Sequence, residues 1–487
     1  MKSNLILLAL FFAVFFLLSN SLKSQPPDTM WTKTIGGING DQGNFAQQTT
    51  DGGYIIIANT TSFGAGANDI WLIKTDDSGD TSWTKTFGAG GNDGGNYVQQ
   101  TTDGGYIIAG QNASFGPVDG WLLKTDSSGD TLWTKFFGGG GFDYINCVQQ
   151  TSNGGYIIAG RTNSFGASSY DAWLLKTDSS GDTLWTKTFG GSANEYGSSV
   201  DTTSDGGYVI AGITSSFGAG HNDVWLIRTD GDGDTLWTKA YGGSNDEWAL
   251  SVQETSDGGF VVTGTTDSFG AGLNDIWLIK TDGSGDTLWT KTYGGMMYDW
   301  GTSVQQTTDG GYIIAGYTDS FGAGNDDMLL IRTDNSGNTL WMKTLGGGTN
   351  DRGSSVQQTA DGGYIVAGLT GSSGAGGLDV WLIKIAPDIT EIEETRQSFV
   401  YDYQLHQNYP NPFNPVTTIR FDLPQSTKVQ LIVYDILGRK VATRVNEKMP
   451  AGRHEVAWSA ANYTSGLYFY QLKAGNFVEV RKMLLVK

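Results

Sequence analysis

A chain of 487 residues with 72 glycines, 9 prolines and 12% aromatic residues has the length for a large closed architecture plus a smaller domain, built from short strands and tight turns. Collagen is excluded because no Gly-X-Y period runs through it, and a disulfide scaffold is excluded by the single cysteine, Cys147. The charge of −20 is uneven: residues 401–487 hold 11 Lys/Arg against 6 Asp/Glu, a balance of +5 that leaves −25 on the rest and makes nucleic acid a poor partner there.

The chain opens with Lys2 and an apolar run over residues 5–18, then the small and polar stretch SNSLKSQPP. This reads as a secretory signal peptide over residues 1–24, since the run is too short for an ordinary membrane span and leaves through polar residues. No later segment is apolar enough to cross a membrane.

From residue 31 the sequence repeats. The phrase WTKTIGG and its variants begin at Trp31, Trp83, Trp133, Trp185, Trp237, Trp289 and Trp341, a spacing of 52 broken once by 50. Periods of this size signal propellers or solenoids. Each period contains four strand-like runs, A to D, such as residues 302–307, 311–318, 327–333 and 339–346. Asp-Gly-Gly joins A to B, and segments such as DSSGD (126–130) join C to D, both hairpin signals. Four antiparallel strands repeated around an axis make β-propeller blades. All four runs occur seven times, but the first D precedes every A. The count predicts an all-β, seven-bladed β-propeller over residues 31–385, in which residues 31–35 supply the outer strand of the blade that ends at Ile385. Bulky residues such as Trp225 and Trp237 are predicted to fill the widening gaps between blades.

Asp69, Asp119, Asp171, Asp223, Asp275, Asp327 and Asp379 recur in every repeat, which points to a structural task such as accepting backbone N–H groups in the B to C loop. Asp230, Asp232 and Asp234 are spaced like calcium-loop donors, but loop position 6 is Thr235 and position 12 is Tyr241. A hairpin turn fits better, and neither calcium nor another cofactor is assigned. Residues 126–133 resemble a turn-and-tryptophan phrase of pyrroloquinoline-quinone propellers, a likeness confined to a packing device. Histidine is scarce, with His221 in the repeats and His406 and His454 beyond them, so a Ser/His/Asp triad or His-rich metal site has little material and no catalytic residue is named. Cys147 reads as a strand residue rather than a redox centre.

Function is expected where the repeats differ. Every strand A opens on an acid: Asp41, Asp93, Asp143, Glu195, Glu247, Asp299 and Asp351. The next position diverges through Gln42, Gly94, Tyr144, Tyr196, Trp248, Trp300 and Arg352. Tyr144, Tyr196, Trp248 and Trp300, with Arg161, Tyr317, Glu247 and Asp299, are expected to form an arc for a sugar or protein ligand on the face that carries the D to A and B to C loops.

Residues 386–402 read as an acidic linker and residues 403–487 as a small immunoglobulin-like β-sandwich. The motifs NYPNPFNP (408–415), YDILGRKV (434–441), SGLYFYQL (465–472) and KMLLVK (482–487) resemble the C-terminal sorting domain of type IX secretion cargo. The motif residues are Tyr409, Pro410, Asn411, Pro412, Phe413, Asn414, Pro415, Gly438, Gly466, Leu467 and Tyr468. The resemblance implies passage through the periplasm, contact with the type IX machinery, and a destination at the cell surface or outside the cell. The repeats themselves resemble the WTKTFGG, DGGYIIAG and DVWLIKTD arrays of secreted bacterial proteins. The expectation is a monomeric, non-enzymatic binding or adhesion propeller for a glycan or protein. The alternatives are a quinone-dependent oxidoreductase, a carboxylate-based glycan hydrolase or lyase, and a structural surface-layer component.

Overall fold

Runs of β-branched and aromatic residues punctuated by glycine turns leave the chain one regular option. In the computed structural model every regular element among the described residues is a strand. The structure describes residues 25–114, 116–167, 169–388, 403–450 and 452–487; the expected signal peptide and most of the expected linker lie outside them. Two compact units divide at Asp388 and Ile389.

The first unit contains seven four-stranded antiparallel sheets. Blade 1 runs Asp41–Gln48 (A), Tyr54–Thr60 (B), Asp69–Thr75 (C) and Thr81–Phe87 (D). Blades 2 to 6 repeat that order. Blade 7 takes A, B and C from Asp351–Gln358, Tyr364–Thr370 and Asp379–Ile385, and its D strand from Thr29–Ile35 at the other end of the unit. Trp31 lies opposite Lys384 and Ile35 opposite Val380. The Trp381 indole donates to Thr32 Oγ1 at 2.5 Å, 349 positions away.

Closure is completed at the inner edge. Gln48 accepts the Ala360 amide at 2.9 Å, the bond that Gln100 makes to Thr50 and Gln150 to Thr102 at ordinary junctions. Strands B and C, covered on both faces by neighbouring blades, read as unbroken apolar runs. Ile55, Ile57, Ile70 and Leu72 of blade 1, for example, pack against Val98, Ile108 and Trp121 of blade 2. Each such burial is worth about 2 kcal/mol.

The WTKT phrase is an inter-blade clasp. Its tryptophan packs against the aromatic residue that opens strand B of the next blade, as in Trp31–Tyr54 (5.8 Å) and Trp237–Phe260 (5.8 Å). Gly79, at φ +78°, brings the next C to D turn onto Trp31, where a Cβ would stand 2.6 Å from the ring. The lysine two residues on reaches the aspartate of that turn, as in Lys85–Asp130 (2.7 Å) and Lys187–Asp234 (2.7 Å). Blade 7 has no C to D turn, because its D strand arrives from elsewhere. There Lys343 donates to the Pro27 carbonyl at 2.8 Å and the Trp341 indole to Asp388 at 2.7 Å. Asp388 also holds Arg332 at 2.8 Å and Tyr364 at 2.5 Å, and the Ala386 amide bonds to the Asp28 carbonyl. Residues 386–388, expected in the linker, are therefore part of the propeller, because their polar groups occupy the place of the missing hairpin.

The second unit is a two-sheet β-sandwich. One sheet joins Gln404–Leu405, Val416–Leu423 and Gly452–Ser459; the other orders Lys440–Met449, Thr427–Asp435, Gly466–Ala474 and Phe477–Leu485. Trp458, Phe421, Tyr470 and Leu431 lie in its core.

Candidate functional site

Neighbouring sheets meet through their A strands, which are innermost, so the starts of A and ends of B surround one mouth of the propeller. The acids that open strand A are all 0% exposed. Glu247 accepts the Gly243 amide at 2.7 Å, the Thr266 hydroxyl at 2.9 Å and the Ser268 amide at 3.1 Å. Asp299 accepts the Gly295 amide at 2.8 Å and the Ser320 hydroxyl at 2.7 Å. Glu247 and Asp299, expected to face a ligand, instead tie the D to A loop to the end of strand B. Consecutive strand residues point to opposite faces, so an acid beside an aromatic in sequence is not beside it in the site.

The other acid column serves the B to C loop as expected. Asp69 accepts the Ala65 and Gly66 amides, both at 2.9 Å, and Asp275 those of Ala271 and Gly272 at 2.8 and 3.1 Å. The two columns meet at each junction across the first glycine of the WTKT phrase. A Cβ on Gly88 would stand 1.9 Å from Asp69 Oδ1 and 2.9 Å from Asp93 Oδ2. Burial, with the facing carboxylate adding, raises the pKa of Asp119 and Asp223.

In the divergent column Gln42 is exposed and Gly94 buried, while Tyr144, Tyr196, Trp248, Trp300 and Arg352 are half-buried and gather into two clusters. In blades 3 and 4, the Arg161 guanidinium carbon lies 4.4 Å from the Tyr144 ring centre, 4.6 Å from Tyr196 and 5.3 Å from Tyr170. Tyr170 sits between the other two rings, 6.3 Å from Tyr144 and 5.8 Å from Tyr196. It was not legible as a site residue from the arc alone, yet it stands directly before Asp171 where other repeats carry Asn68, Asn222 and Asn274. In blades 5 to 7, Trp248 meets Trp300 edge-on at 6.1 Å, Trp300 stacks on Tyr317 at 6.1 Å, and Arg352 lies 4.6 Å from the Tyr317 ring. Arg352 is ion-paired to Asp326. The neighbouring Asp326 carboxyl, and burial, push the Asp319 pKa up to about 6. Among the described residues no ring contact joins Tyr196 to Trp248, so the expected continuous arc is two clusters.

Below the mouth the passage narrows. Phe45 and Tyr97, on the adjacent blades 1 and 2, pack 4.1 Å apart in the register that Cys147 occupies in blade 3. The cavity there is about 110 Å³, bordered by Phe45, Tyr97, Cys147, Asp201, Gln253 and Ser303. Ordinary small-molecule pockets begin at roughly 300 Å³. Burial pushes the Cys147 thiol up to about 12, which keeps it a neutral packing group.

Asp230, Asp232 and Asp234 form a turn. Asp230 accepts the Asp232 and Asp234 amides at 3.0 and 2.9 Å, and Asp234 pairs with Lys187. Among the described residues no three His, Cys, Asp or Glu are grouped to hold a metal ion.

In the second unit the NYPNPFNP motif fastens the start of the sandwich to its last strand. Asn408 donates to the Pro410 carbonyl at 3.1 Å and to Thr417 at 2.8 Å; Asn411 accepts the Leu484 amide at 2.8 Å. Phe413 exchanges backbone bonds with Leu484 and Val486, and its ring packs 5.5 Å from Trp458. The Pro415 carbonyl accepts the Ala460 amide at 2.8 Å. Tyr409, Pro410, Pro412 and Asn414 are exposed. Gly438, at φ +73°, closes the turn after Asp435, and Gly466, Leu467 and Tyr468 open a strand, with the Tyr468 hydroxyl on the Thr464 carbonyl at 2.8 Å.

Residues 407–487 match the secretion system C-terminal sorting domain. The second unit is a member of that family, and the protein is secreted, cell-surface cargo whose sorting domain engages the type IX machinery. Regulatory protein FlaEY of Caulobacter vibrioides is 27% identical over 221 residues, 39% of this chain and 23% of that protein, so this chain spans under a quarter of that relative's length. Among solved structures, PorZ, a surface component of the type-IX secretion system of Porphyromonas gingivalis, is 12% identical with a TM-score of 0.41, covering 90% of this chain and 58% of that one. The β-propeller domain of the Trilobed protease from Pyrococcus furiosus is 9% identical with a TM-score of 0.39, over 73% of this chain and 94% of that one. A puromycin hydrolase is 11% identical with a TM-score of 0.47, over 79% of this chain and 59% of that one. No helix among the described residues is long and apolar enough to cross a membrane.

Proposed function

We propose that the protein is a non-enzymatic binding propeller, monomeric and displayed at or released from the cell surface, whose ligand docks across the mouth. The observation that supports this is the pair of half-exposed aromatic and guanidinium clusters, which draw on the variable position after the strand-A acid and its equally variable partner at the end of strand B, in a mouth whose strand-A acids are buried in every blade. Flat rings beside hydrogen-bonding groups suit sugar faces or a protein surface. The small cavity below argues against a buried cofactor such as a quinone. The test is a glycan and protein binding screen with the full chain and its Trp248→Ala/Trp300→Ala variant. A tenfold or greater loss of binding, with the circular dichroism spectrum unchanged, is expected; equal binding by both proteins overturns the reading.

A second reading, a carboxylate-based glycan hydrolase or lyase, draws on Asp319 and Asp326. A carboxyl with its pKa near 6 beside a second carboxyl is the arrangement of an acid–base pair. Release of product from a bound glycan, abolished in Asp319→Asn, would establish it over simple binding.

A further inference from the structure

We propose that the blade 3 and 4 cluster is a receptor for a single carboxylate carried by an otherwise uncharged saccharide, with Arg161 as the anion-binding residue. This rests on the reading of the mouth as a ligand surface. Among the described residues of the propeller unit, every other lysine and arginine donates a hydrogen bond to an oxygen. Arg228 holds Asp205, Arg332 holds Asp309 and Asp388, and Arg352 holds Asp326. Even Lys176, which lacks a carboxylate, donates to the Gly231 carbonyl at 3.2 Å. Arg161 makes no such bond there, and its Nε is buried without an acceptor.

A guanidinium left unpartnered inside an acidic unit is costly, and three tyrosine faces offset only part of that cost. The three ring centres lie 4.4, 5.3 and 4.6 Å from its carbon, and rings bind a guanidinium through its face rather than through its Nη edges. Those edges present parallel N–H groups, the geometry that a carboxylate fits with two bonds. The Tyr144, Tyr170 and Tyr196 phenols gathered round that cation add hydroxyl groups that suit a ligand rich in hydroxyls.

The rest of the mouth limits the ligand to one charge. At the other cluster Arg352 is already neutralised by Asp326, and Asp319 adds a carboxyl beside it, so a second anionic group would meet repulsion. The acidic excess of the whole unit acts the same way on a polyanion. An acidic sugar at Arg161 with neutral sugars over Trp248 and Trp300 satisfies both ends.

The test is calorimetric titration of the full chain with a tetrasaccharide carrying one glucuronate, its carboxyl-reduced counterpart, a monosulfated counterpart, a polyuronate and an acidic peptide. Wild type is expected to bind the glucuronate form at least tenfold tighter than the reduced form and tighter than the polyuronate. Arg161→Gln should abolish that preference, Arg161→Lys should keep part of it, and Trp300→Ala should weaken both forms alike. Equal binding of acidic and reduced forms by wild type overturns the proposal without any variant. So does a preference for the sulfated form or the acidic peptide, or a preference that survives Arg161→Gln. If neutral sugars bind through Trp248 and Trp300 with no acidic preference, this inference fails while the binding reading stands; no binding by any saccharide or protein overturns both.

Discussion

Asp299 and Trp300 are neighbours in one strand and opposites in role. The acid belongs to a column that is acidic in all seven blades, 0% exposed and bonded to the loop before it. The tryptophan belongs to a column that holds glutamine, glycine, tyrosine, tryptophan and arginine in turn and is half open to solvent from Tyr144 onward. In a chain that repeats itself, sameness marks what every junction needs and difference marks where the junctions make no demand. That freedom is where a ligand site can be written without weakening the ring.

The hardest test of the shared framework is to remove residues 31–35. Blade 7 then loses its outer strand and Trp381 loses its Thr32 partner, and a fall in melting temperature of more than about 10 °C is expected by calorimetry. An unchanged melting temperature would show that the seam does not share the load of the other junctions. Next, Glu247→Ala leaves the Gly243 and Ser268 amides and the Thr266 hydroxyl without their acceptor. A loss of about 3 kcal/mol is expected by denaturant unfolding, against about 1 kcal/mol for Trp248→Ala one residue on. Equal losses would erase the distinction between the columns. Gly190→Ala places a Cβ 1.8 Å from Asp171 Oδ1 and 2.8 Å from Glu195 Oε2, and about 2 kcal/mol of overpacking is expected in the same measurement.

The smallest effect is in pH. Asp319 has a folded pKa raised above its ordinary value, so its stabilising contribution is complete below about 3.8 and is lost as pH rises through about 6. Asp319→Asn should therefore flatten the fall in melting temperature between pH 4 and pH 7; an unaltered slope would show that the pair carries no proton there.

Much of the fold was legible because it is arithmetic. A 52-residue period and a D strand that precedes the first A specify both the number of sheets and the offset at the seam. The structural use of Asp69, Asp171, Asp223, Asp275, Asp327 and Asp379 was legible because nothing that recurs from blade to blade distinguishes a site. Glu247 and Asp299 misled because sequence adjacency hides the alternation of a strand. Tyr170, Asp319 and Asp326 went unnamed because they lie in B to C loops, and their approach to Arg161 and Arg352 depends on how those loops fold rather than on the strand pattern. Arg161 was visible as a variable residue, but its lack of an acceptor is a fact of three dimensions. Residues 386–388 could not be told from linker because their partners, Trp341, Arg332, Tyr364 and Asp28, are set by ring closure rather than by local pattern.

The seam also sets an order of events. Its first strand is synthesised before any blade exists, and its partner, Asp379–Ile385, is the last strand of the ring to appear. Closing so long a loop is entropically slow compared with forming each local hairpin, so the blades can assemble as an open arc well before the circle locks. Until the circle locks, strand C of blade 7 has no partner on its outer edge.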